Sequence, residues 1–339
     1  MRAAQVTEHG EPGAVVRTVD VPEPDVPEGS VLVRVSTASL NFGDVARSRG
    51  GVATMLAQPP FTLGMDVCGT VEAGPSEWVG QRVVGITNMA MGGLAEKAVV
   101  PLSGLFAAPE ALTDVEAAAF LLPFHVAHLA LHRRAGLRAG ETVLVLGAAS
   151  AVGTAFVQLA VAAGATVIAS AGGPDKGKLC LDLGAAVAVD ARADELFATV
   201  MAHTGGRGAD VVVDLVGGAA TETAWTCVAA EGRYLPVGFN DDDTGGFTGR
   251  PLRKVSMGNF SVVGVMLAYA EPNELMKQFG LNMLGPAVGQ QVHADLLELL
   301  ANGVRPVVGR VIGLDEVGAA LDDHAARRTS GRTVVEVTR

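Results

Sequence analysis

The pattern of apolar and polar positions changes character near residue 120. Before it, short apolar runs at 3–6, 31–35, 67–71, 82–86 and 95–100 are separated by Pro and Gly clusters such as Val21-Pro22-Glu23-Pro24 and Pro27-Glu28-Gly29. Short strands at this spacing predict a barrel-like β domain. After it, strand candidates at 142–146, 166–170, 186–189, 211–214, 234–237 and 261–265 alternate with helix candidates at 152–163, 176–183, 193–203 and 219–228. Repeated βα units of this length predict a doubly wound parallel sheet. The remainder, 266–339, carries helices and a terminal strand at 333–337, and is expected to return to the first domain.

Composition narrows the class. A chain of 339 residues suits two domains of about 150 residues each. Aromatics are only 4% and glycines number 43, so the core must be built from Val, Leu, Ala and Ile, as in a buried parallel sheet. A net charge of −11 argues against nucleic acid and anionic membranes as partners. The N-terminus lacks the apolar region of a signal peptide. The most apolar stretch, 151–170, reads as a buried helix and strand rather than a bilayer span, and the expected location is the cytoplasm. Cys68, Cys180 and Cys227 are far apart and read as free buried thiols.

The chemistry concentrates at Val143-Leu144-Val145-Leu146-Gly147-Ala148-Ala149-Ser150-Ala151-Val152-Gly153. A buried strand, a tight small-residue turn and a helix start aim backbone N–H groups at a pyrophosphate. The usual triple-glycine turn appears as Ala148, Ser150 and Gly153, and only the last glycine remains. An ordinary strand-to-helix turn is the alternative; the run of βα units that follows favours the dinucleotide. The next strand candidate ends at Ser170 with no acid to bind a ribose 2′-hydroxyl. Ser170, the N–H groups near Gly172 and Lys176 are instead placed to face a 2′-phosphate, which points to NADP(H). Lys176 also reads as a solvated helix-start lysine, and Asp175 weakens the local positive potential.

With these residues in place, the chain resembles the zinc-independent quinone oxidoreductases of the medium-chain dehydrogenase/reductase superfamily. The segments that carry the resemblance are Ser39-Leu40-Asn41-Phe42-Gly43-Asp44, Thr62-Leu63-Gly64-Met65-Asp66-Val67-Cys68-Gly69, Val79-Gly80-Gln81-Arg82-Val83, Ala135-Gly136-Leu137-Arg138-Ala139-Gly140-Glu141, the dinucleotide turn, Gly208-Ala209-Asp210-Val211-Val212-Val213-Asp214 and Ser330-Gly331-Arg332-Thr333-Val334. The resemblance implies a GroES-like β domain from 1–122 and 266–339 and a Rossmann domain from 123–265. It also implies NADPH, a small-molecule quinone or enone substrate, and a homodimer paired through the apolar strand at 261–265. Relatives that use zinc carry a Cys near position 41 and a His-Glu pair near 65–66. This chain has Asn41, Met65 and Asp66 there, so no metal is expected.

The resemblance also implies roles for single residues. Asn41 would lie near the nicotinamide or the substrate, and Asp44 would brace its loop; a turn-capping role is the alternative for Asn41. Cofactor contacts would come from Val126, from Ala149, Ser150, Ala151, Val152 and Gly153, from Ser170, Gly172 and Lys176, and from the backbones at Val216, Gly238, Phe239, Val265 and Met266. Arg332 is a candidate for a phosphate or loop contact, or a solvated arginine. Val126 stands where many relatives have a threonine, and the segment 45–52 lacks their tyrosines, so no proton donor is named. Arg47 and Arg49 read as solvent-facing, with attraction of an anionic substrate as the alternative. His125, His128 and His132 share one helix face by spacing, and polar contacts suit them better than a metal. The lead reading is hydride transfer from NADPH to a quinone or α,β-unsaturated carbonyl. The alternatives are an enoyl-thioester reductase, for which Arg250, Arg253 and Lys254 offer a basic track, and a non-catalytic dinucleotide-binding or sensing protein.

Overall fold

The structure is a computed structural model and describes residues 1–51, 58–192, 195–238, 253–271, 273–278 and 280–338. The chain divides into two compact units, one of 1–122, 268–300 and 305–339, the other of 123–267 and 301–304.

The second unit is a six-stranded parallel sheet in the order Val187–Asp190, Thr166–Ala171, Thr142–Leu146, Ala209–Asp214, Val228–Pro236, Ser261–Val262. Every residue of Thr142–Leu146 is buried, as expected of a strand with neighbours on both edges and helices on both faces. The order reverses beside this strand, where an open α/β sheet presents its ligand crevice. Leu144, Ile168, Val212, Trp225, Tyr234 and Phe260 form the core on one face.

Local chemistry sets the element ends. Ser150 caps the helix Ala151–Ala162 with its hydroxyl, and Pro174 opens Pro174–Asp182. Several element boundaries differ from the sequence expectation. The helix expected at 219–228 stops at Thr226, and Val228 already pairs with Ala209 in the sheet. The helix expected at 193–203 begins at Leu196; residues 193–194 lie outside the described residues. The strand expected at 261–265 is only Ser261–Val262. Val263 still donates its N–H to the Tyr234 carbonyl, but the Gly264 carbonyl turns away to accept from Arg134 Nε at 2.8 Å. The edge expected to pair two subunits is correspondingly short.

In the first unit, neighbouring strands run Val308–Gly313, Arg332–Glu336, Ser30–Ser39, Asp66–Ala73, Arg82–Ile86 and Leu105–Ala107, with Lys97–Pro101 also paired to Ser30–Ser39. All these pairings are antiparallel except that of Val308–Gly313 with Arg332–Glu336. A smaller sheet joins Val16–Asp20, Arg2–Val6 and Phe61–Thr62. The C-terminal strand thus completes the sheet begun by the N-terminal third of the chain. Val6, Val33, Leu40, Leu63, Leu94 and Val335 lie in its core.

Among the described residues one helix, Asp114–Arg134, is long and apolar enough to cross a bilayer, and most of it is buried inside the protein. All three cysteines are free and buried. Burial pushes the Cys68 thiol up to about 12, and Cys180 and Cys227 to about 11.

His324, on the helix Val317–Ala325, sits 3.0 Å from Thr333 Oγ1 through Nε2. Burial and then the nearby Arg332 charge push its pKa from 6.5 down to about 4. The unfolded chain therefore takes up the proton first as the pH falls. Its contribution to stability is complete above about pH 6.5 and is lost as the pH drops towards 4. His324→Gln is expected to flatten that part of the stability profile, read as the difference from the parent in urea midpoints at pH 7 and near pH 4.5.

Candidate functional site

Three adjacent strands bring the Asn41 loop together. Ser39 ends its strand, Asp66 begins the next, and Arg332 begins the strand on the other side. Antiparallel pairing puts these ends at the same edge of the sheet. Arg332 Nη2 lies 2.9 and 3.0 Å from the two Asp66 carboxylate oxygens and 2.7 Å from Ser39 Oγ. The pair is almost wholly enclosed, with side chains 3% and 0% exposed. Ser39 Oγ also donates to Asp66 Oδ2.

Asn41 follows directly. Its Nδ2 donates to Asp66 Oδ1 at 2.9 Å and to the Ser39 carbonyl at 3.3 Å. An ionised carboxylate accepts only, so this contact fixes which end of the amide is nitrogen. Both Nδ2 hydrogens are engaged, and the group Asn41 presents to a ligand is its carbonyl oxygen. Asp44 braces the loop from the other side: Oδ2 accepts the Asn41 N–H at 2.8 Å and Oδ1 accepts the Gly64 N–H at 3.2 Å. Burial raises the Asp44 pKa, against the opposing charge of Arg47 and these N–H donors. Asp44 thus caps the opening of the helix Phe42–Ser48 through the Asn41 N–H, while its own N–H donates to the Asn41 backbone carbonyl at 3.0 Å.

Two sequence expectations are corrected here. Arg332 is neither solvated nor available to a phosphate, because its Nη2 is taken by Asp66 and Ser39 inside the unit. Arg47 is not solvent-facing: it is 8% exposed. Arg49 is the exposed arginine and pairs with Glu11 at 2.8 Å.

The second unit holds the dinucleotide turn. Gly147 adopts φ +73°, which favours glycine, and its chain turns into the helix Ala151–Ala162. A Cβ on Gly153 would overlap the Gly147 carbonyl oxygen and lie 2.6 Å from that of Ala148. The third glycine is therefore obligatory for helix and strand to approach. Ser150 Oγ accepts the Gly153 N–H at 3.1 Å. The N–H groups of Ala151 and Val152 open the helix without an intrahelical acceptor. Ala149 is buried below the turn.

Asp214 fastens the loops on the other side of this crevice. It ends its strand fully buried, and its carboxylate accepts from the N–H groups of Val216 (2.8 Å) and Gly217 (2.9 Å), Thr221 Oγ1 (3.0 Å) and the Tyr234 hydroxyl (2.6 Å). Its backbone carbonyl accepts from Val237 and Gly238. One residue thus positions two of the loops expected to touch the cofactor. Phe239 and Arg250 lie outside the described residues. Val265 and Met266 follow the short edge strand, and Met266 is exposed.

At the neighbouring strand tip, Thr166–Ala171 runs one residue past the expected end, and Ser170 is only 4% exposed. Beside it is a residue that sequence reasoning misses. Arg192 follows the strand Val187–Asp190, whose last residue pairs with Ala171. A Cβ on Gly172 would lie 3.1 Å from Arg192 Nε and 3.5 Å from Cζ. The guanidinium therefore lies alongside Gly172, while Asp190 holds the loop by accepting from the Gly173 and Arg192 N–H groups at 3.0 Å. Lys176 is partly exposed in the first turn of Pro174–Asp182. Sequence spacing alone cannot pair residues 172 and 192; the strand order does.

Val126 is buried on the helix Asp114–His128. That helix widens into a π turn at Leu129–Arg134, which moves His132 off the simple helical register; its ring centre is 4.7 Å from that of His128. Among the described residues no group of three or more His, Cys, Asp or Glu side chains is arranged to hold a metal. Of the basic track, Lys254 is paired with Glu222 at 2.7 Å.

A GroES-like β unit with a Rossmann unit inserted between its ends defines an oxidoreductase of the dehydrogenase/reductase class. Residues 27–110 match the alcohol dehydrogenase GroES-like domain, and residues 151–282 match the family described as zinc-binding dehydrogenase. The chain belongs to the medium-chain dehydrogenase/reductase superfamily, among its quinone oxidoreductase-like members. It is 31% identical to quinone oxidoreductase-like protein 2 of Bos taurus over 93% of this chain and 87% of that protein. It is similar to the solved quinone oxidoreductase of Thermus thermophilus, also determined in complex with NADPH, with 34% identity, a TM-score of 0.80, and 99% and 100% of the two chains covered. A segment of the erythronolide synthase of Saccharopolyspora erythraea is 36% identical over 70% of this chain and 7% of the synthase.

The Asp66–Arg332 pair predicts an asymmetric response to mutation. Asp66→Ala leaves Arg332 enclosed with no counter-charge, and is expected to cost about 3–5 kcal/mol of stability. The double variant Asp66→Leu with Arg332→Met is expected to recover much of it. Denaturant unfolding of the parent, single and double variants checks both.

Proposed function

We propose that the chain is a zinc-independent, NADPH-dependent reductase of quinones or α,β-unsaturated carbonyls. The observation that carries this reading is the donor set around Asn41. Where the resemblance puts zinc ligands, this chain has an amide, the thioether of Met65 and a carboxylate already bound by Arg332, Ser39 and Asn41. Such a set does not converge on a zinc ion, which needs thiolate, imidazole or free carboxylate ligands.

The residues of the second unit suit a dinucleotide. The opening N–H groups at Ala151 and Val152 suit the pyrophosphate, with Ala149, Ser150 and Gly153 shaping the turn. The backbones at Val216, Gly238, Val265 and Met266 and the side chain of Val126 are proposed contacts for the nicotinamide half. Arg192 beside Gly172, with Lys176 nearby, suits a 2′-phosphate; the buried Ser170 contributes less than its sequence position implies. NADPH, when bound, supplies a hydride to an electron-poor centre of the substrate. Asn41 presents a fixed acceptor oxygen, and the Asp66–Arg332 pair and Asp44 keep it from turning. A homodimer forms part of the proposal, by resemblance.

A second reading is reduction of an α,β-unsaturated acyl thioester, supported by the likeness to a segment of a large synthase. Steady-state NADPH oxidation with matched quinones, enones and enoyl thioesters separates the two, and tight NADPH binding without turnover favours a sensing role. For the cofactor, NADPH is expected to bind more tightly than NADH. Arg192→Ala is expected to weaken NADPH by about 1–3 kcal/mol and leave NADH unchanged. Equal affinity of the parent for the two cofactors, measured by fluorescence titration, would overturn the preference.

A further inference from the structure

Asp44 and Arg47 are the charged side chains of the helix Phe42–Ser48, and both are buried. Three residues apart, they are neighbours on one helix face. A Cβ on Gly43 would lie 3.0 Å from Arg47 Nη1. The guanidinium therefore folds back along the helix to the residue beside Asp44, in the direction helical side chains favour. Nη1 is sealed there against Gly43 and has no hydrogen-bond partner. What it supplies to its surroundings is charge.

Asp44 shows where that charge is needed. Its carboxylate accepts the Asn41 N–H on one oxygen and the Gly64 N–H on the other. A protonated carboxyl would carry an O–H that neither partner can accept, and one of the two N–H groups would face it without an acceptor. The arrangement therefore requires the ionised form. Burial raises the Asp44 pKa, and the Arg47 charge is the first of the influences that lower it, ahead of the two N–H donors. Asp66, on the neighbouring strand, adds a further raising influence. The helix Val317–Ala325 also packs on Phe42–Ser48. Its Asp322 accepts the Gly13 N–H, its Asp323 is paired with Arg310 and Arg328, and its His324 meets Thr333. Beyond the helix end, Glu11 is paired with Arg49 and His9 lies against Gly50.

We propose that Arg47 is a positioning residue: its charge keeps Asp44 ionised, and through Asp44 it keeps the Asn41 main chain where the amide oxygen can meet a ligand. The role of Asn41 rests on the reductase reading; the pairing of charges does not. The proposal also explains an arginine in a sealed place. Removing a guanidinium from water is costly, and a carboxylate beside it offsets that cost where an apolar neighbour would not. The consequence for pH has a definite sign. Without the cation, Asp44 holds its proton to higher pH. In Arg47→Met it is then a neutral acid in the neutral range and becomes a carboxylate as the pH is raised. The two N–H contacts, and with them the loop, return as it ionises.

The test uses the full-length protein. Infrared difference spectra, of the parent against Asp44→Asn and of Arg47→Met against the double variant, read this one carboxyl. The parent is expected to show a carboxylate at neutral pH, and Arg47→Met a protonated carboxyl that ionises as the pH rises. In protein labelled with nitrogen-15 asparagine, the Asn41 N–H resonance of Arg47→Met is expected to move with the same midpoint. That signal needs no Asp44 variant, so it decides the case even where Asp44→Asn does not fold. With turnover, kcat/KM for a quinone is expected to fall about tenfold in Arg47→Met at neutral pH and to recover at higher pH, and Arg47→Lys is expected to restore the parent profile. A merely structural arginine predicts a loss that pH does not reverse. Such a loss overturns the proposal, and so does an Asp44 that is protonated in the parent or stays ionised in Arg47→Met. Infrared and Asn41 signals that respond as expected in a protein that reduces no quinone would instead sink the reductase reading and leave the charge pairing standing.

Discussion

A carboxylate with no access to water must be matched by hydrogen-bond donors, and Asp66 is matched on both oxygens. Arg332, Ser39 and Asn41 all point hydrogens at it. The match requires three strand ends to meet at one sheet edge, so it forms only when the C-terminal strand has docked beside Ser30–Ser39. The orientation of the Asn41 amide is therefore a property of the completed sheet and not of its own loop. Pairing a buried charge this closely does not guarantee added stability. Its effect is to leave one arrangement of the loop, because any other strands a charge.

The second unit solves a similar problem with a different balance of groups. Two backbone N–H groups, a threonine and a tyrosine hydroxyl satisfy Asp214, where an arginine serves Asp66. Hydrogen bonds to an ionised acceptor are among the stronger ones, and these hold the loop that follows the strand. On the opposite side of the crevice the constraint is steric. Gly153 cannot carry a side chain, because carbonyl oxygens of the preceding turn occupy the space. The crevice thus has one wall set by packing and another set by a buried charge.

The sheet of the second unit is legible in the sequence because its strands are unbroken apolar runs at βα spacing. The dinucleotide turn is legible despite its missing glycines, because Gly153 keeps the one position where geometry admits no substitute. The arginines are not legible. Arg332 meets a partner 266 residues away, and Arg192 meets Gly172 only through strand order. A lone arginine in a polar segment carries no sign of whether it faces water or a carboxylate. Arg47 misleads for that reason, since helix spacing does not tell which face of a short helix is covered. The short edge strand at Ser261–Val262 misleads for another: apolar content continues to Val265, but the Gly264 carbonyl leaves the ladder for a side chain.

Asp214 has a consequence for how this protein can change over generations. Its side chain holds the loop at 216–217 and its main chain holds the loop at 237–238, so the two loops share one anchor. Replacements in one loop will not combine independently with replacements in the other, because both act through the same residue. A lineage adapting its cofactor contacts would be channelled into paired changes, or into changes at Ala149 to Val152, which hang on a separate support. The order in which substitutions are tolerated is then constrained by an aspartate that need not touch the ligand at all.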